Sequence, residues 1–359
     1  MEGETKIFRV PADLDLEAEK GSWRGFLTES GECLNQVHLA YTTYGALNGS
    51  GDNVIWIFHA LTANSRPHEW WEGLVGRDRL FDPAHYFIVC VNVPGSCYGS
   101  IGPLDYDESK GEPFYYSFPL FTTRDIIRAF QPLRKYLGIE KIKIGIGGSL
   151  GGQQLLEWAI EEPELFEIII PIATNALHSP WGIAFNATQR MAIEADGTWG
   201  QNNPVAGMAG MKAARALALI SYRSYDGYLQ TQRYNQSQFK ITPEGEAPGG
   251  AASYQRYQGE KLAKRFNAFS YYQLSKSMDS HHVGRGRGTT EGALKKISAR
   301  ALVVGIDSDV LFPLVEQQFL ADQIPGATLA VISSLYGHDG FLLEYRQLED
   351  HILNFLNCD

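Results

Sequence analysis

Short runs of apolar, often β-branched residues recur along this chain, and each is followed by residues that favour turns. They occupy positions 53–58, 86–93, 141–146, 167–172, 301–306 and 328–332. Runs that are apolar almost throughout are typical of strands buried on both faces, as in a parallel sheet. The earlier stretch 37–44 alternates between apolar and polar residues, which predicts an antiparallel edge strand at the start of the sheet.

Amphipathic helices are predicted between these runs. In 123–137 the apolar residues fall at helical spacing on one face, and Gly138 follows as a residue suited to the end of a helix. Strands that alternate with such helices predict a doubly wound α/β fold, in which a mostly parallel sheet carries helices on both faces.

This alternation stops between residues 177 and 292, where the chain becomes polar and aromatic. Helical patterns dominate there, in 208–228 and 258–277, and the strand pattern resumes only at residue 301. We therefore predict an inserted helical lid, 177–292, over the C-terminal edge of the sheet. The core domain is then formed by 1–176 and 293–359.

Charge and composition narrow the class of partner. The net charge is −10, and lysine and arginine are scattered, so a nucleic-acid partner is not expected. No apolar run approaches the ~20 residues of a membrane helix, and residues 1–11 lack the apolar centre of a signal peptide. The four cysteines have neither zinc nor redox-pair spacing. These features predict a cytoplasmic protein with reduced thiols and no membrane partner.

The candidate nucleophile is Ser149. The run 141–146 leads into the sequence GGSLG at 147–151, and a helical pattern follows at once. A G-x-S-x-G segment between a strand and a helix exposes the serine hydroxyl on a cramped turn. The N–H of Leu150 then lies at a helix N-terminus and can stabilise an oxyanion. The competing interpretation is a glycine-rich packing turn or a phosphate loop, but the lysine or G-x-G-x-x-G of a phosphate loop is absent.

A serine nucleophile needs a base that is itself oriented by an acid, and on such a strand–turn–helix the chain order is serine, acid, histidine. Asp307 and Asp309 follow the run 301–306, and either could instead cap the next helix. We favour Asp309, which lies further into the loop. His338 follows the last predicted strand and is the candidate base, whereas His351 falls within an amphipathic C-terminal helix.

A second oxyanion donor is expected in the loop 59–65, where the backbone N–H of Leu61 is our candidate. His59 is expected to brace this loop rather than to transfer protons. The pair His281–His282 could suggest a metal, but no carboxylate or cysteine stands at ligand spacing. We therefore predict no metal site, and we expect this pair on a polar lid surface.

Seven segments, spread over nearly the whole chain, can be compared with a known family. They are LAYTTYGALN, HALT, GGSLGGQQLLEWAI, AARALALISYRS, YQGEKLAKRFNAFSYYQL, SDVLFP and YGHDGFL. Together they resemble the homoserine O-acetyltransferases of the α/β-hydrolase superfamily. The resemblance implies an α/β-hydrolase fold and an acyltransferase that works by ping-pong transfer. Acetyl-CoA, a co-substrate rather than a bound cofactor, would acylate Ser149, and the homoserine hydroxyl would then take the acyl group. His338, oriented by Asp309, would serve both steps.

The resemblance also implies the acceptor site. Arg215 would reach from the lid to the carboxylate of homoserine, and Asp339 would bind its ammonium group. Opposite charges at the two ends suit a zwitterion, and arginine can bind a carboxylate through two hydrogen bonds. Arg223 is the alternative residue for binding this carboxylate, and the family motif favours Arg215. The structural alternatives are that Arg215 is an ordinary surface residue of a helix and that Asp339 caps a loop.

Other implications and alternatives remain open. The resemblance implies that the product is used in methionine biosynthesis. It also implies that two copies of the chain form a homodimer through their lids. The segment 94–103 departs from the usual family pattern beside the acyl and acceptor pockets, so succinyl-CoA as donor or serine as acceptor are alternatives. Further alternatives are an esterase that transfers the acyl group to water and a non-catalytic binding protein of the same fold.

Overall fold

The computed structural model describes residues 3–11, 25–233 and 250–358, and its centre is an eight-stranded sheet. The order of strands in this sheet is β1-β4-β6-β5-β9-β10-β11-β12. Two further pairs, β2 with β3 and β7 with β8, form small separate ribbons. The strands are β1 (Thr5–Val10), β2 (Phe26–Leu27), β3 (Cys33–Leu34), β4 (Val37–Tyr44), β5 (Val54–Phe58), β6 (Phe87–Val91), β7 (Tyr106–Asp107), β8 (Glu112–Pro113), β9 (Ile142–Gly148), β10 (Phe166–Ile172), β11 (Arg300–Ile306) and β12 (Thr328–Ile332).

Helices follow most of the central strands. They are α1 (Pro67–Trp70), α2 (Thr123–Tyr136), α3 (Leu150–Glu161), α4 (Pro180–Glu194), α5 (Met208–Tyr222), α6 (Tyr225–Thr231), α7 (Ala251–Ala263), α8 (Ala268–Asp279), α9 (Thr290–Leu294), α10 (Leu314–Gln323), α11 (Gly340–Leu343) and α12 (Tyr345–Asn357). Short 3₁₀ turns occur at Tyr115–Ser117 and Gly337–Asp339. No helix within the described ranges has the length and apolar character that a bilayer crossing requires.

Most of the sheet is parallel, as predicted. Strands β6, β5, β9, β10, β11 and β12 pair in parallel, whereas β4 is antiparallel to both β1 and β6. The prediction that 37–44 forms the edge was wrong, because β1 covers it. Lys6 and Arg9 interrupt the apolar pattern of β1. Such charged residues are common on edge strands, which have no neighbouring strand on one side and are partly exposed to solvent.

Both faces of the central strands are covered. All five residues of β5 are buried. Ile55 and Ile57 pack in one cluster with Leu348 and Ile352 of α12, while Trp56 packs on the opposite face with residues of α2 and α3. Full burial of each aliphatic side chain contributes about 1.5–3 kcal/mol. This two-sided cover explains why the strand runs in the sequence are almost continuously apolar.

The helix predicted over 123–137 is confirmed as α2. At its start, Thr122 and Asp125 form a capping box in which each side chain accepts a hydrogen bond from the other's backbone N–H. The chain leaves the helix at Gly138, whose φ of 70° is the left-handed conformation that ends many helices.

Helices α4 to α9 lie between β10 and β11, in the part of the chain predicted to be the lid. The two ends of this insertion are tied together, because the N–H of His178 donates to His281 O at 2.9 Å and the N–H of Val283 donates to Ala176 O at 3.0 Å. The division into a core of 1–176 with 293–359 and a lid of 177–292 stays a prediction. Its second boundary falls within α9.

Two predicted lid helices are each broken in the structure. The pattern at 208–228 is divided into α5 and α6 by Arg223 and Ser224, and Arg223 has extended backbone angles (φ −120°, ψ 159°). The pattern at 258–277 is divided into α7 and α8 before Asn267, whose side chain caps α8 by accepting from Ser270 N at 2.8 Å.

The expectation that His281 and His282 lie on a polar lid surface was wrong for His281. This residue is buried, and its ring nitrogens contact Asn175 O at 3.0 Å and Thr123 Oγ1 at 3.2 Å. Burial lowers the pKa of His281 to about 3, so its ring is neutral. His281 lies where the two ends of the insertion meet, and its ring connects the insertion to Thr123 at the start of α2.

Candidate active site

Ser149 occupies the turn between β9 and α3 with φ 58° and ψ −125°. A positive φ in a residue other than glycine costs on the order of 1–3 kcal/mol and persists only where its surroundings hold it. Here the N–H of Ser149 donates to Ile172 O at 2.9 Å. A side chain at Gly151 would collide with the carbonyl oxygen of Phe58, and a Cβ at Gly147 would lie 2.6 Å from the backbone of Gly151. The glycines of the motif therefore allow the close approach that the turn requires.

His338 and Asp309 meet beneath the end of the sheet. His338 Nδ1 lies 2.6 Å from Asp309 Oδ2, and both side chains are buried. The other carboxylate oxygen, Oδ1, accepts from Leu311 N at 2.8 Å and from Phe312 N at 2.9 Å. These backbone donors fix the carboxylate. Because Nδ1 is directed at Asp309, Nε2 is the ring nitrogen left to exchange a proton with another group.

Of the two aspartates that the sequence left open, the structure brings Asp309 to the histidine. Asp307 is exposed, and its Oδ1 accepts from Ser334 N at 3.2 Å. It therefore braces the loop that follows β12 and does not contact His338.

Aromatic rings surround the imidazole of His338. The ring centroids of Phe312, Phe341 and Tyr222 lie 5.1, 5.4 and 5.7 Å from it. Burial by itself lowers the pKa of His338, but the charge and hydrogen bond of Asp309, together with the charge of Asp339, outweigh burial and raise the pKa above its ordinary value of 6.5. The imidazolium form is therefore stabilised at the point where a general base would receive a proton.

Ser149 and His338 line one cavity of about 330 Å³. Within the described ranges no direct hydrogen bond joins the two side chains, and such bonds often close only when substrate binds. We call the side of the cavity that carries Leu61, Ser149, His338 and Asp339 the core wall. The side that carries Arg215, Tyr222 and Arg265 is called the lid wall.

The two candidate oxyanion donors lie beside Ser149. Leu150 is the first residue of α3, where backbone N–H groups have no acceptor within the helix, and Leu61 is on a loop that lines the cavity. Gln154 joins the two segments by donating to His59 O and to Leu150 O. His59 accepts from Val93 N at 3.0 Å, and burial lowers its pKa to about 4, so it braces this loop in the neutral form.

The acceptor residues expected from the resemblance also reach this cavity. Arg215 lines it, with its guanidinium carbon 5.2 Å from the centre of the Tyr222 ring. Asp339 lines it next to His338 and forms an ion pair of 3.1 Å with Arg223. Arg223 does not line this cavity. Its contact with Asp339 was not foreseen from the sequence.

Two residues of the lid wall, Tyr222 and Arg265, were not predicted from the sequence. Tyr222 follows Arg215 by two helical turns, so the spacing of α5 could have placed both residues on one face. Arg265 lies between α7 and α8, and its Nη1 donates to Thr62 O and to the Tyr98 hydroxyl. No sequence signal indicates that contact.

The arrangement of the cysteines and of the possible metal ligands was compared with that of a metal centre. All four cysteines are free thiols. In the part of the chain that the structure describes, no three His, Cys, Asp or Glu residues are grouped so as to hold a metal ion.

Comparison with known proteins identifies the family. Residues 53–345 match a family model described as the alpha/beta hydrolase fold. A homoserine O-acetyltransferase from Cyclobacterium marinum is 52% identical over 330 residues, which cover 91% of each chain. The chain belongs to the homoserine O-acetyltransferase family. Another homoserine O-acetyltransferase, from Trichormus variabilis, is 42% identical over 98% of this chain and 94% of its own length. Membership in this family makes the chain an acyltransferase.

Solved structures bear out the fold of this homoserine O-acetyltransferase family member. Homoserine O-acetyltransferase from Bacillus anthracis superposes with a TM-score of 0.88 at 24% identity, over 99% of this chain and 98% of that one. Esterase E22 superposes with a TM-score of 0.84 at 21% identity, over 99% of this chain and 100% of that one. Because transferases and esterases share this fold, the fold alone does not distinguish the two reactions.

Proposed function

We propose that this chain transfers an acetyl group from acetyl-CoA to the hydroxyl group of L-homoserine and so forms O-acetyl-L-homoserine. The observation that carries the proposal is the cavity that Ser149 and His338 share with Arg215 and Asp339. This cavity combines the two side chains needed for acyl transfer with a positive and a negative side chain that suit a zwitterionic acceptor. The identity of 52% to a homoserine O-acetyltransferase supports the same substrates.

In the first half-reaction, His338 Nε2 takes the proton of Ser149 Oγ as this oxygen attacks the thioester carbonyl carbon of acetyl-CoA. The carbonyl oxygen becomes an oxyanion that receives hydrogen bonds from the N–H groups of Leu61 and Leu150. The tetrahedral intermediate then expels the CoA thiolate, which takes the proton from the imidazolium. The result is an acetyl ester on Ser149 and free CoA.

In the second half-reaction, His338 takes the proton of the homoserine hydroxyl as that oxygen attacks the acetyl ester. The same two N–H groups stabilise the oxyanion. Ser149 Oγ then leaves as an alkoxide and regains the proton from the imidazolium. Asp309 holds the imidazole through Nδ1 and stabilises its positive charge in both steps.

The acceptor is oriented by charges at both of its ends. Arg215 binds the carboxylate of homoserine from the lid wall, and Asp339 binds the ammonium group from the core wall. Holding the acceptor in this way favours its hydroxyl over water, because orientation raises the effective concentration of a bound group far above that of a free one. By the family likeness, the product enters methionine biosynthesis.

The proposal is tested by measuring CoA release with acetyl-CoA or succinyl-CoA as donor and with homoserine, serine or water as acceptor. We expect a burst of about one CoA per active site from acetyl-CoA alone and continued turnover only after homoserine is added. A larger rate with succinyl-CoA would identify succinyl-CoA as the donor, and a larger rate with serine would identify serine as the acceptor. Continued release in water alone would indicate an esterase, and no release from either donor would contradict the proposal.

A homodimer formed through the lid remains a prediction from the resemblance. Light scattering across a range of protein concentrations tests it, and a single species with the 40.0 kDa mass of one chain would contradict it.

A further inference from the structure

The junction between α5 and α6 packs directly against the loop that carries His338. Ser224 Oγ donates to Leu335 O and also caps α6 by accepting from Gly227 N at 2.9 Å. A side chain at Gly227 would collide with the same carbonyl oxygen of Leu335. A Cβ at Gly337 would lie 2.8 Å from the backbone carbon of Arg223. One glycine on each side therefore allows the two backbones to touch.

Arg223 adds a charged contact to this junction. Its Nη2 lies 3.1 Å from Asp339 Oδ2, and its guanidinium lies over the ring of Tyr336 at 5.5 Å. A weaker hydrogen bond of 3.4 Å reaches the hydroxyl of Tyr254. Both members of the ion pair are mostly buried, with side chains 19% and 15% exposed. The pair is thus shielded from the solvent that makes surface ion pairs weak.

The guanidinium has few other partners. Among the described residues, Asp339 is the one carboxylate within ion-pair distance of Arg223, and Nε and Nη1 of Arg223 are buried without a hydrogen-bond partner. The ion pair of 3.1 Å between Arg223 and Asp339 is formed at Oδ2 of the carboxylate. The second oxygen of a carboxylate can still accept hydrogen bonds from a ligand.

We propose that Arg223 is a positioning residue that acts through Asp339. It holds one oxygen of the Asp339 carboxylate from the lid side and so directs the other toward the ammonium group of the acceptor. This inference rests on the proposed function, in which Asp339 binds that ammonium. It also gives the break between α5 and α6 a role, because an uninterrupted helix would carry Arg223 and Ser224 in a different direction from the loop at 335–339.

A double-mutant cycle tests this role with four proteins: the wild type, Arg223→Gln, Asp339→Asn and the double variant. Homoserine KM and the CoA burst from acetyl-CoA are measured for each. We expect Arg223→Gln to raise the homoserine KM about tenfold, equivalent to about 1.4 kcal/mol of acceptor binding, and to leave the size of the burst unchanged. Because Arg223 acts through Asp339, the double variant should be no worse than Asp339→Asn alone.

Two further variants make the cycle decisive. Arg223→Lys keeps the positive charge and should recover part of the acceptor affinity, and it replaces Arg223→Gln in the cycle if the latter does not fold. Lys212→Gln is the matched control. It lies on α5, the helix that ends just before Arg223, and it removes an exposed ion pair of 2.8 Å with Glu260, so it should leave the homoserine KM unchanged.

Three results would overturn the inference. They are an unchanged homoserine KM in Arg223→Gln, effects of the two substitutions that multiply in the double variant, and an equal loss of burst and acceptor affinity. If the wild type itself gives no burst, the proposed function fails and this inference fails with it. A wild-type burst with an unaffected Arg223→Gln variant refutes the inference alone.

Discussion

The core wall and the lid wall of the cavity are held by different kinds of contact. On the core wall, Ser149 lies on a turn with no room for larger neighbours, and His338 is fixed by a buried carboxylate at 2.6 Å. On the lid wall, Arg215 and Tyr222 lie on a partly exposed helix and meet through a ring contact at 5.2 Å. The core wall therefore leaves little freedom to its groups, whereas the lid wall leaves more.

In the proposed function, the core wall carries the groups that perform the reaction, and the lid wall carries groups that select the acceptor. Groups that must meet within proton-transfer distance lie at the ends of strands in a rigid sheet. In the proposed function, the groups that bind the acceptor come partly from the helices inserted between β10 and β11. Substitutions on the core wall should therefore lower the rate of both half-reactions, and substitutions on the lid wall should act mainly on acceptor binding.

The largest effect is expected from Ser149→Ala. Removing the nucleophile should abolish the CoA burst and lower kcat by about 10⁶-fold, as for other serine nucleophiles. Stopped-flow measurement of CoA release checks this. The control is Ser270→Ala on α8, which removes another buried hydroxyl that has no hydrogen-bond partner among the described residues and should leave the burst intact. A full burst in Ser149→Ala would break the assignment of the core wall.

Asp309→Asn should cost about 10⁴-fold in kcat, because the amide favours the wrong imidazole tautomer and does not stabilise the imidazolium. Asp307→Asn is the matched control. Its amide oxygen can still accept from Ser334 N, so the rate should change little. Steady-state rates of both variants decide the matter, and equal losses in the two would contradict the geometry that joins Asp309 to His338.

Arg215→Ala should raise the homoserine KM about 100-fold, because a buried carboxylate that loses its charged partner costs a few kcal/mol. The burst with acetyl-CoA alone should keep its size. Lys212→Ala on the same helix is the control and should leave KM unchanged. A loss of the burst in Arg215→Ala would show that the lid wall takes part in the chemistry, and the contrast between the walls would then be wrong.

The smallest effect concerns the position of the pH profile. His338 must be neutral to accept a proton, and its pKa is raised because the Asp309 carboxylate stabilises the imidazolium against the opposing effect of burial. As the pH falls, kcat/KM for acetyl-CoA should therefore be lost through a midpoint above 6.5. A midpoint at or below this value would mean that the carboxylate does not control the base.

The sequence was informative wherever local pattern determines structure. Continuous apolar runs predicted the parallel strands, and the glycines around Ser149 indicated the turn, because both follow from residues adjacent in the chain. Strand β1 was missed because charged residues interrupt its pattern, which an edge strand tolerates. The core wall could be assembled from motif order, since strand ends meet at one edge of a parallel sheet.

The features that the sequence did not reveal depend on contacts between distant segments. The break between α5 and α6 occurs where Ser224 meets Leu335, and helical propensity alone gives no sign of it. The ion pair of Arg223 with Asp339 likewise joins the insertion between β10 and β11 to the loop that follows β12. His281 was misplaced because its burial arises only where the two ends of the insertion meet.

The most direct test of the account is to look for the acetyl group on the protein. After mixing with acetyl-CoA in the absence of acceptor, mass spectrometry should find one added acetyl group per chain, located on the peptide that contains Ser149. Adding homoserine should remove that group as O-acetyl-homoserine appears. Product formation without any acetylated Ser149, or an acetyl group attached elsewhere and transferred at the same rate, would contradict the account.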